Sequence, residues 1–366
     1  MIKQLKTFTI NLVAGANIAT VILMLLAGYS DRISPAEYPM LSCLNLAFPV
    51  FLVVNLLFLF FWLTFKWRKV WIPVTGYLLA YMPISLYMPL NNFHQEAEEG
   101  SLKIISYNVC QYGGNYKYEE GFDTVFSYLR RQQADIVCLQ EDTDTWRRFV
   151  MQRYKKIYEY NDTTIFCNTA QSMNGVGIHT RFPILKKERI VYESTANGSV
   201  AYYLKLDNGD TLLVINNHLE GTHLSNEDRA NYKRILKGKM ERDTVREESM
   251  LLLDKIARSA AKRAPQAEAV NEYIESHRQY PIIVCGDFND SPISYSRRTI
   301  AQGLHDCFEE TGKGIGLSYN QKGFFVRIDH ILCSDHFEPQ KCEIDSEMDA
   351  SDHYPMLCWV KMRGNP

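Results

Sequence analysis

The sequence contains no internal repeat and no low-complexity tract, which sets aside solenoids and disordered repeat architectures. It has no CxxC pair and no closely spaced histidine cluster, so the nine cysteines do not announce a short-spaced metal site. Excess basic charge is missing too. Six of the 40 basic and five of the 42 acidic residues precede residue 101, leaving 34 Lys and Arg against 37 Asp and Glu. A domain that grips nucleic acid through its phosphates usually carries a basic face and a high pI. Sequence-independent nucleic-acid binding is therefore disfavoured, and only a local basic groove stays open.

Charge is also absent from the centre of three long apolar runs, near residues 7–29, 40–65 and 70–90. Each is long enough for a membrane span of about 20 residues. The lack of central ionisable residues argues against a transport pathway. Pro73, Pro83 and Pro89 interrupt the third run, which membrane helices tolerate where neighbours restore lost hydrogen bonds. A cleaved signal peptide is the competing reading of the first run, but two more spans follow it. Residues 1–92 thus read as a three-helix transmembrane region, 93–100 as a linker and 101–362 as a second domain. Lys3 and Lys6 flank the first span, and Lys66, Arg68 and Lys69 fill the loop after the second, whereas Glu37, Glu96, Glu98 and Glu99 lie on the opposite side. Basic loops belong in the cytoplasm, so the second domain is expected outside it, in the periplasm if the cell is Gram-negative and the membrane its inner one.

Eight cysteines fall in that domain. Cys138, Cys285 and Cys333 sit in apolar strand-like runs and read as buried thiols, while the even number leaves disulfides open outside the cytoplasm. Strands are expected at LKIISYNV, ADIVCLQE, 158–166, 175–179, 199–206, 211–216, 281–285, 326–333 and 356–360. Runs such as PIIVCGDF suit strands covered on both faces, as in a layered α/β domain. Between residues 220 and 280 the pattern turns helical, with a second helix starting at Pro265.

Polar residues that carry chemistry stand at the ends of these strands, where α/β domains hold ligands. Asn108 ends the first strand and Glu141 ends DIVCLQE. Asp287 and Asn289 lie two apart in GDFND, so an extended backbone would point both to one side, although an Asx turn explains the pair equally well. His218 follows TLLVINN. Asp329 sits within an apolar strand, where a carboxylate is costly unless paired, and SDHYP supplies Asp352 and His353. A buried carboxylate that fixes an imidazole tautomer is the arrangement a general base needs.

Taken together and in order, ISYNV, DIVCLQE, GVGIHTRFPI, NNHLE, GDFND, RIDHI and SDHYP resemble the endonuclease/exonuclease/phosphatase superfamily, from about Leu102 to Val360. The resemblance implies a four-layer α/β sandwich of two packed mixed sheets flanked by helices. It also implies a divalent cation, Mg²⁺ or alternatively Mn²⁺, held at Glu141 with Asn108 and Asp352 nearby. Asp287 and Asn289 would orient the attacking water, His353 would pair with Asp329, and His218 would contact the phosphate. His179 departs from the family's usual Leu, and the 220–280 segment exceeds the simplest members.

The reading is a membrane-anchored, metal-dependent phosphodiesterase acting on a lipid head group or another small phosphodiester. A membrane-tethered nuclease is the alternative, and a non-catalytic binding module the third, disfavoured by the complete residue set. Oligomeric state is not encoded in any feature found. A phosphatase reporter fused after Pro366 should be active outside the cytoplasm; activity of a cytoplasm-specific reporter there would invert the topology.

Overall fold

The computed structural model describes residues 2–91, 96–114, 117–142, 147–168, 173–321, 323–324 and 326–363, so residues 93–95 of the expected linker lie outside the described residues. Helix α1 (Ile2–Gly28) leads through the short α2 (Pro39–Ser42) to α3 (Phe48–Phe65). The stretches Gln4–Gly28 and Pro39–Phe65 are each long and apolar enough to cross a membrane. The third expected span is not one helix: α4 (Trp71–Leu79) and α5 (Tyr81–Tyr87) meet at a bend of 61°. Pro83 accounts for the bend, because without an N–H it cannot donate to the Leu79 carbonyl four residues back. That carbonyl accepts instead from the Tyr29 hydroxyl at 2.7 Å. The bent pair still follows α1. Ile72 packs with Ala14 and Trp62 at one end, and at the other Pro83 and Phe48 close on Gly28, where an added Cβ would meet them at 2.9 and 2.8 Å. Between α1 and α3, Asn17 donates to Asn55 and accepts from the Trp62 indole, both at 2.9 Å.

Twelve strands follow among the described residues: β1 (Leu102–Asn108), β2 (Ile136–Gln140), β3 (Tyr160–Asn168), β4 (Met173–Thr180), β5 (Ile184–Ile190), β6 (Gly198–Lys205), β7 (Thr211–His218), β8 (Ile282–Asp287), β9 (His305–Asp306), β10 (Asp329–Cys333), β11 (Phe337–Ile344) and β12 (Met356–Met362). They form two six-stranded mixed sheets, ordered β11-β12-β1-β2-β4-β3 and β5-β6-β7-β8-β10-β9. Helices α6 (Tyr118–Gln132) and α7 (Arg147–Tyr154) lie on the first sheet; α8 (Asn226–Leu236), α9 (Arg242–Glu275), α10 (Tyr295–Ile300) and α11 (Cys307–Thr311) belong to the second half. The result is the expected four-layer sandwich. Alternation within single strands builds it: Ile136 and Cys138 face the core between the sheets, while Val137 and Leu139 face Phe122, Val125 and Leu129 of α6. In the same way Ile283 and Cys285 point between the sheets, and Ile282 and Val284 meet Ala267, Val270 and Ile274 of α9. A strand buried on both faces must be apolar at every position, which is why these runs stand out in the sequence.

Two expectations change. Pro265 starts no new helix but lies inside α9, which runs unbroken for 34 residues. Its fixed φ is helical, and the lost hydrogen bond, about 3 kcal/mol, is offset by Ala257, Ala260, Ala264, Ala267 and Val270 burying on both sides of it. Strands β5 and β11, with sequences ILKKERI and FEPQKCEI, lack the apolar signal because they carry charge near sheet edges. All nine cysteines are free, and the Cys307 thiol donates to Cys333 Sγ at 3.8 Å. His179 is a core residue, stacked on Tyr154 at 3.8 Å, and burial pulls its pKa down to about 3.

The N-terminal helices dock on the sandwich through polar contacts. Arg298 pairs with Asp31 at 3.4 Å, the Ser85 hydroxyl donates to Glu309, and Asn91 donates to the carbonyls of Glu309 and Gly312. Arg327 is the deepest of these links. It is 1% exposed and donates to the Ile315 carbonyl at 2.6 Å and, across the junction, to the Leu86 carbonyl at 2.5 Å. Arg327→Ala strands both carbonyls and should cost about 3 kcal/mol, seen as a lower thermal midpoint of the full chain in detergent. Arg327→Lys, with no planar fork, should recover only part; an unchanged midpoint in the alanine variant would contradict this account.

Candidate active site

Register assembles the site. In the second sheet β7 runs parallel to β8 with His218 opposite Asp287, and β10 runs antiparallel to β8 with Asp329 opposite Asp287. Laterally paired residues share a face, so three adjacent strands present His218, Asp287 and Asp329 side by side. In the first sheet Asn108 ends β1, and the chain leaves β2 at Glu141 with a left-handed φ of 52°. That turn rests on its neighbour. Asp142 is buried and accepts from Tyr112 at 2.9 Å and Thr163 at 2.8 Å. Gly177 must be glycine for this, since a Cβ there would lie 2.4 Å from Asp142 Oδ2.

Asn108 joins the two sheets: its amide nitrogen donates to Glu141 Oε1 at 3.2 Å and to Asp287 Oδ2 at 3.0 Å. His353 arrives from the segment before β12, with Nδ1 2.9 Å from Asp329 Oδ2 and Nε2 3.7 Å from Asp287 Oδ2. Ser351 fixes that segment by donating to the Asn108 carbonyl and accepting from the His353 amide. His218 approaches from the other side, its Nε2 3.7 Å from Asp287 Oδ2 and 3.9 Å from Glu141 Oε1. The two imidazoles therefore flank one carboxylate oxygen at equal distance. Asp352 adds its negative charge beside Glu141 and Cys110.

These environments separate the protonation states. Burial opposes the charged form of His353, but Asp329 and Asp287 outweigh it and hold its pKa at about 10. His218 is shifted the other way, lowered by burial more than Asp287 raises it. Burial and Asp329 push Asp287 up to about 6 against the pull of the two histidines. Glu141, with 26% of its side chain exposed, is raised by burial and by Asp352. At neutral pH the cleft thus holds a charged imidazole, a neutral one, and between them a carboxylate that titrates near neutrality.

Asn289 behaves differently from its neighbour. Its backbone turns left-handed at φ 52°, its amide N–H caps Asp287 Oδ1 at 2.8 Å, and its side chain donates to the Leu219 carbonyl at 3.0 Å. The extended geometry that would align it with Asp287 stops at the strand end, and Asn289 instead ties down the loop after His218. Sequence reasoning overlooked three contacts. Asn174 Oδ1 lies 3.2 Å from His218 Nδ1, the Tyr319 ring meets His353 edge-on at 5.2 Å, and Gln140 reaches through the core to Asn216 at 2.7 Å. Asn174 and Tyr319 stand in no strand-end motif, so only their partners identify them.

Two donor sets suit a cation. Ligand atoms of Asp287, Asp329 and His353 lie within 4.8 Å of one another, but His353 Nδ1 is already engaged by Asp329. Glu141 and Asp352 offer hard oxygen donors with the Asn108 amide alongside, and a cation there would relieve the repulsion that raises Glu141.

Residues 105–353 match the Endonuclease/Exonuclease/phosphatase family, more than half of the chain. The chain belongs to that family. Residues 10–87 match a domain of unknown function. No curated protein matches the sequence. Among solved structures, the family member from Beutenbergia cavernae superposes with a TM-score of 0.54 at 12% identity, covering 72% of each chain. The human Nocturnin catalytic domain with bound sulfate gives 0.51 at 16%, covering 73% of this chain and 97% of its own. D. rerio TDP2 complexed with single strand DNA product gives 0.50 at 17%, covering 72% and 100%. At such identities the likeness is one of fold, that of a family phosphohydrolase. Within the family site, replacing Asp329 by Asn removes the charge that props up His353. Its imidazole should then titrate about 1 to 3 pH units lower by NMR of the metal-free chain, and an unshifted titration would refute the pairing.

Proposed function

We propose that this chain is an integral membrane phosphodiesterase, dependent on Mg²⁺ or Mn²⁺, that hydrolyses a lipid head group or another small phosphodiester outside the cytoplasm. The observation that carries the reading is Asp287 between two histidines of opposite protonation. Glu141 and Asp352 would hold the cation, which supplies charge neutralisation at the phosphate and polarisation of water. Asp287, ionised above about pH 6, accepts the proton of the attacking water. His353, kept protonated by Asp329, can give its Nε2 proton to the leaving oxygen. His218 closes the other wall, and Asn108 holds Asp287 and Glu141 at a fixed separation.

The membrane half supports a substrate at the lipid surface, because segments bearing the site also touch it. Asp290, three residues beyond Asp287, lines a small cavity with Ser42, Cys43 and Leu46, and Arg327, two residues before Asp329, holds Leu86. The 30–47 connection and the end of α5 thus meet the same side of the sandwich. The bent α4–α5 pair then acts as a third crossing, which keeps the catalytic domain opposite the Lys66, Arg68 and Lys69 loop. A nuclease is the second reading, favoured by the DNA product in the TDP2 structure and opposed by the domain's net negative charge.

The full chain in detergent should hydrolyse bis(p-nitrophenyl) phosphate with Mg²⁺ and lose turnover with EDTA, in Glu141→Ala and in His353→Ala. Its kcat/KM should rise through about pH 6 as Asp287 ionises and fall toward about pH 10 as His353 loses its proton. Sphingomyelin and plasmid DNA assayed in parallel separate the lipid and nuclease readings. Equal turnover in wild type and both variants would sink the site.

A further inference from the structure

Helix α8 follows His218 by a short loop and is pinned at both ends of its first turns. Ser225 and Asp228 form a reciprocal capping box, Lys255 of α9 pairs with Asp228 at 2.6 Å, and Asn231 donates to Glu248 at 2.9 Å. One face of α8 is turned to the cleft. Tyr232 stacks on Phe324 at 4.8 Å, Phe324 meets Tyr319 edge-on at 5.8 Å, and Tyr319 meets His353 at 5.2 Å. Residues three apart on a helix share a face, so Arg229 projects on the same side as Tyr232, one turn nearer His218. Its Nε is buried with no hydrogen-bond partner among the described residues, whereas four cations of the neighbouring α9 are paired: Lys255 with Asp228, Arg258 with Asp254, Lys262 with Glu220 and Arg263 with Asp290. The positive charge of Arg229 acts on both Glu141 and Tyr319, in keeping with its position on the face of α8 that carries Tyr232.

A phosphate entering here meets four carboxylates, those of Glu141, Asp287, Asp329 and Asp352, and one charged imidazole. With the divalent cation proposed above in place, one net negative charge is left, which still repels an anion unless more positive charge is supplied. We infer that Arg229, contributed by helix α8, is the substrate clamp of this site, its planar fork engaging the two non-bridging oxygens of a phosphodiester. The inference rests on the phosphohydrolase reading and adds the residue that selects the substrate. A guanidinium matches two oxygens at once, and lysine offers only a point charge, so Arg229→Lys is not a conservative change.

The test uses the full chain in detergent with Mg²⁺ and inorganic phosphate as the probe, by calorimetry. Arg229→Ala should weaken phosphate binding by about 10- to 100-fold, Arg229→Lys should recover part of it, and Arg234→Ala, an exposed cation on the same helix, should leave it unchanged. With bis(p-nitrophenyl) phosphate, Arg229→Ala should raise KM far more than it lowers kcat. Its thermal midpoint should stay close to the wild-type value because the Arg229 Nε holds no hydrogen-bond partner among the described residues. Phosphate binding as tight in Arg229→Ala as in wild type overturns the clamp, as does an equal loss in Arg234→Ala, which would mean diffuse attraction. Failure of the underlying reading looks different: Glu141→Ala and wild type would then turn over alike, and wild type would bind no phosphate, which overturns the clamp as well.

Discussion

Asp287 cannot avoid Asp329, because β8 and β10 pair with those two residues opposite each other and the sheet buries both. Two carboxylates side by side away from water repel, and Asp287 resists ionisation. The structure answers with His353 hydrogen-bonded to Asp329, the Asn108 amide and the Asn289 N–H on Asp287, and His218 on the far side. Each compensating group comes from a different part of the chain. The rest of the sandwich serves to hold them in reach.

The same constraint distributes roles. With its charge shared between two acids, His353 keeps its proton, and with its ionisation resisted by burial, Asp287 titrates near neutrality. A pairing that reads from sequence as a histidine base oriented by a carboxylate therefore places the near-neutral acceptor on the strand between the histidines. Left-handed backbone marks the ends of two site strands: Glu141 and Asn289 both take it, and in each case a neighbouring carboxylate, Asp142 or Asp287, accepts the hydrogen bonds that hold the turn.

Much of the fold was legible because β2 and β8 are covered on both faces and must be apolar throughout. Edge strands β5 and β11 were not, since one exposed side lets Lys and Glu replace the signal. Helix α9 was split at Pro265 because local preference says nothing of the packing that outweighs it. In the N-terminal helical region the apolar length of residues 70–90 was visible, but the bend depends on Tyr29 being near enough to take over the Leu79 carbonyl. At the site, the residues at strand ends could be named, while Asn174, Tyr319 and Arg229 could not, lying in segments whose composition is ordinary.

The sequence by itself determined which acids, amides and imidazoles stand at strand ends, how many apolar runs precede them, and that strands and helices build a layered α/β domain. Those are local properties, set by periodicity and by the position of polar residues within a run. Tertiary structure alone decided which carboxylate faces which histidine, which of the two histidines is charged, and that the Arg229 Nε on α8 is buried without a hydrogen-bond partner among the described residues. Protonation and charge balance depend on burial and on distances of a few ångströms between segments remote in the chain, quantities that exist only once β7, β8 and β10 lie in register.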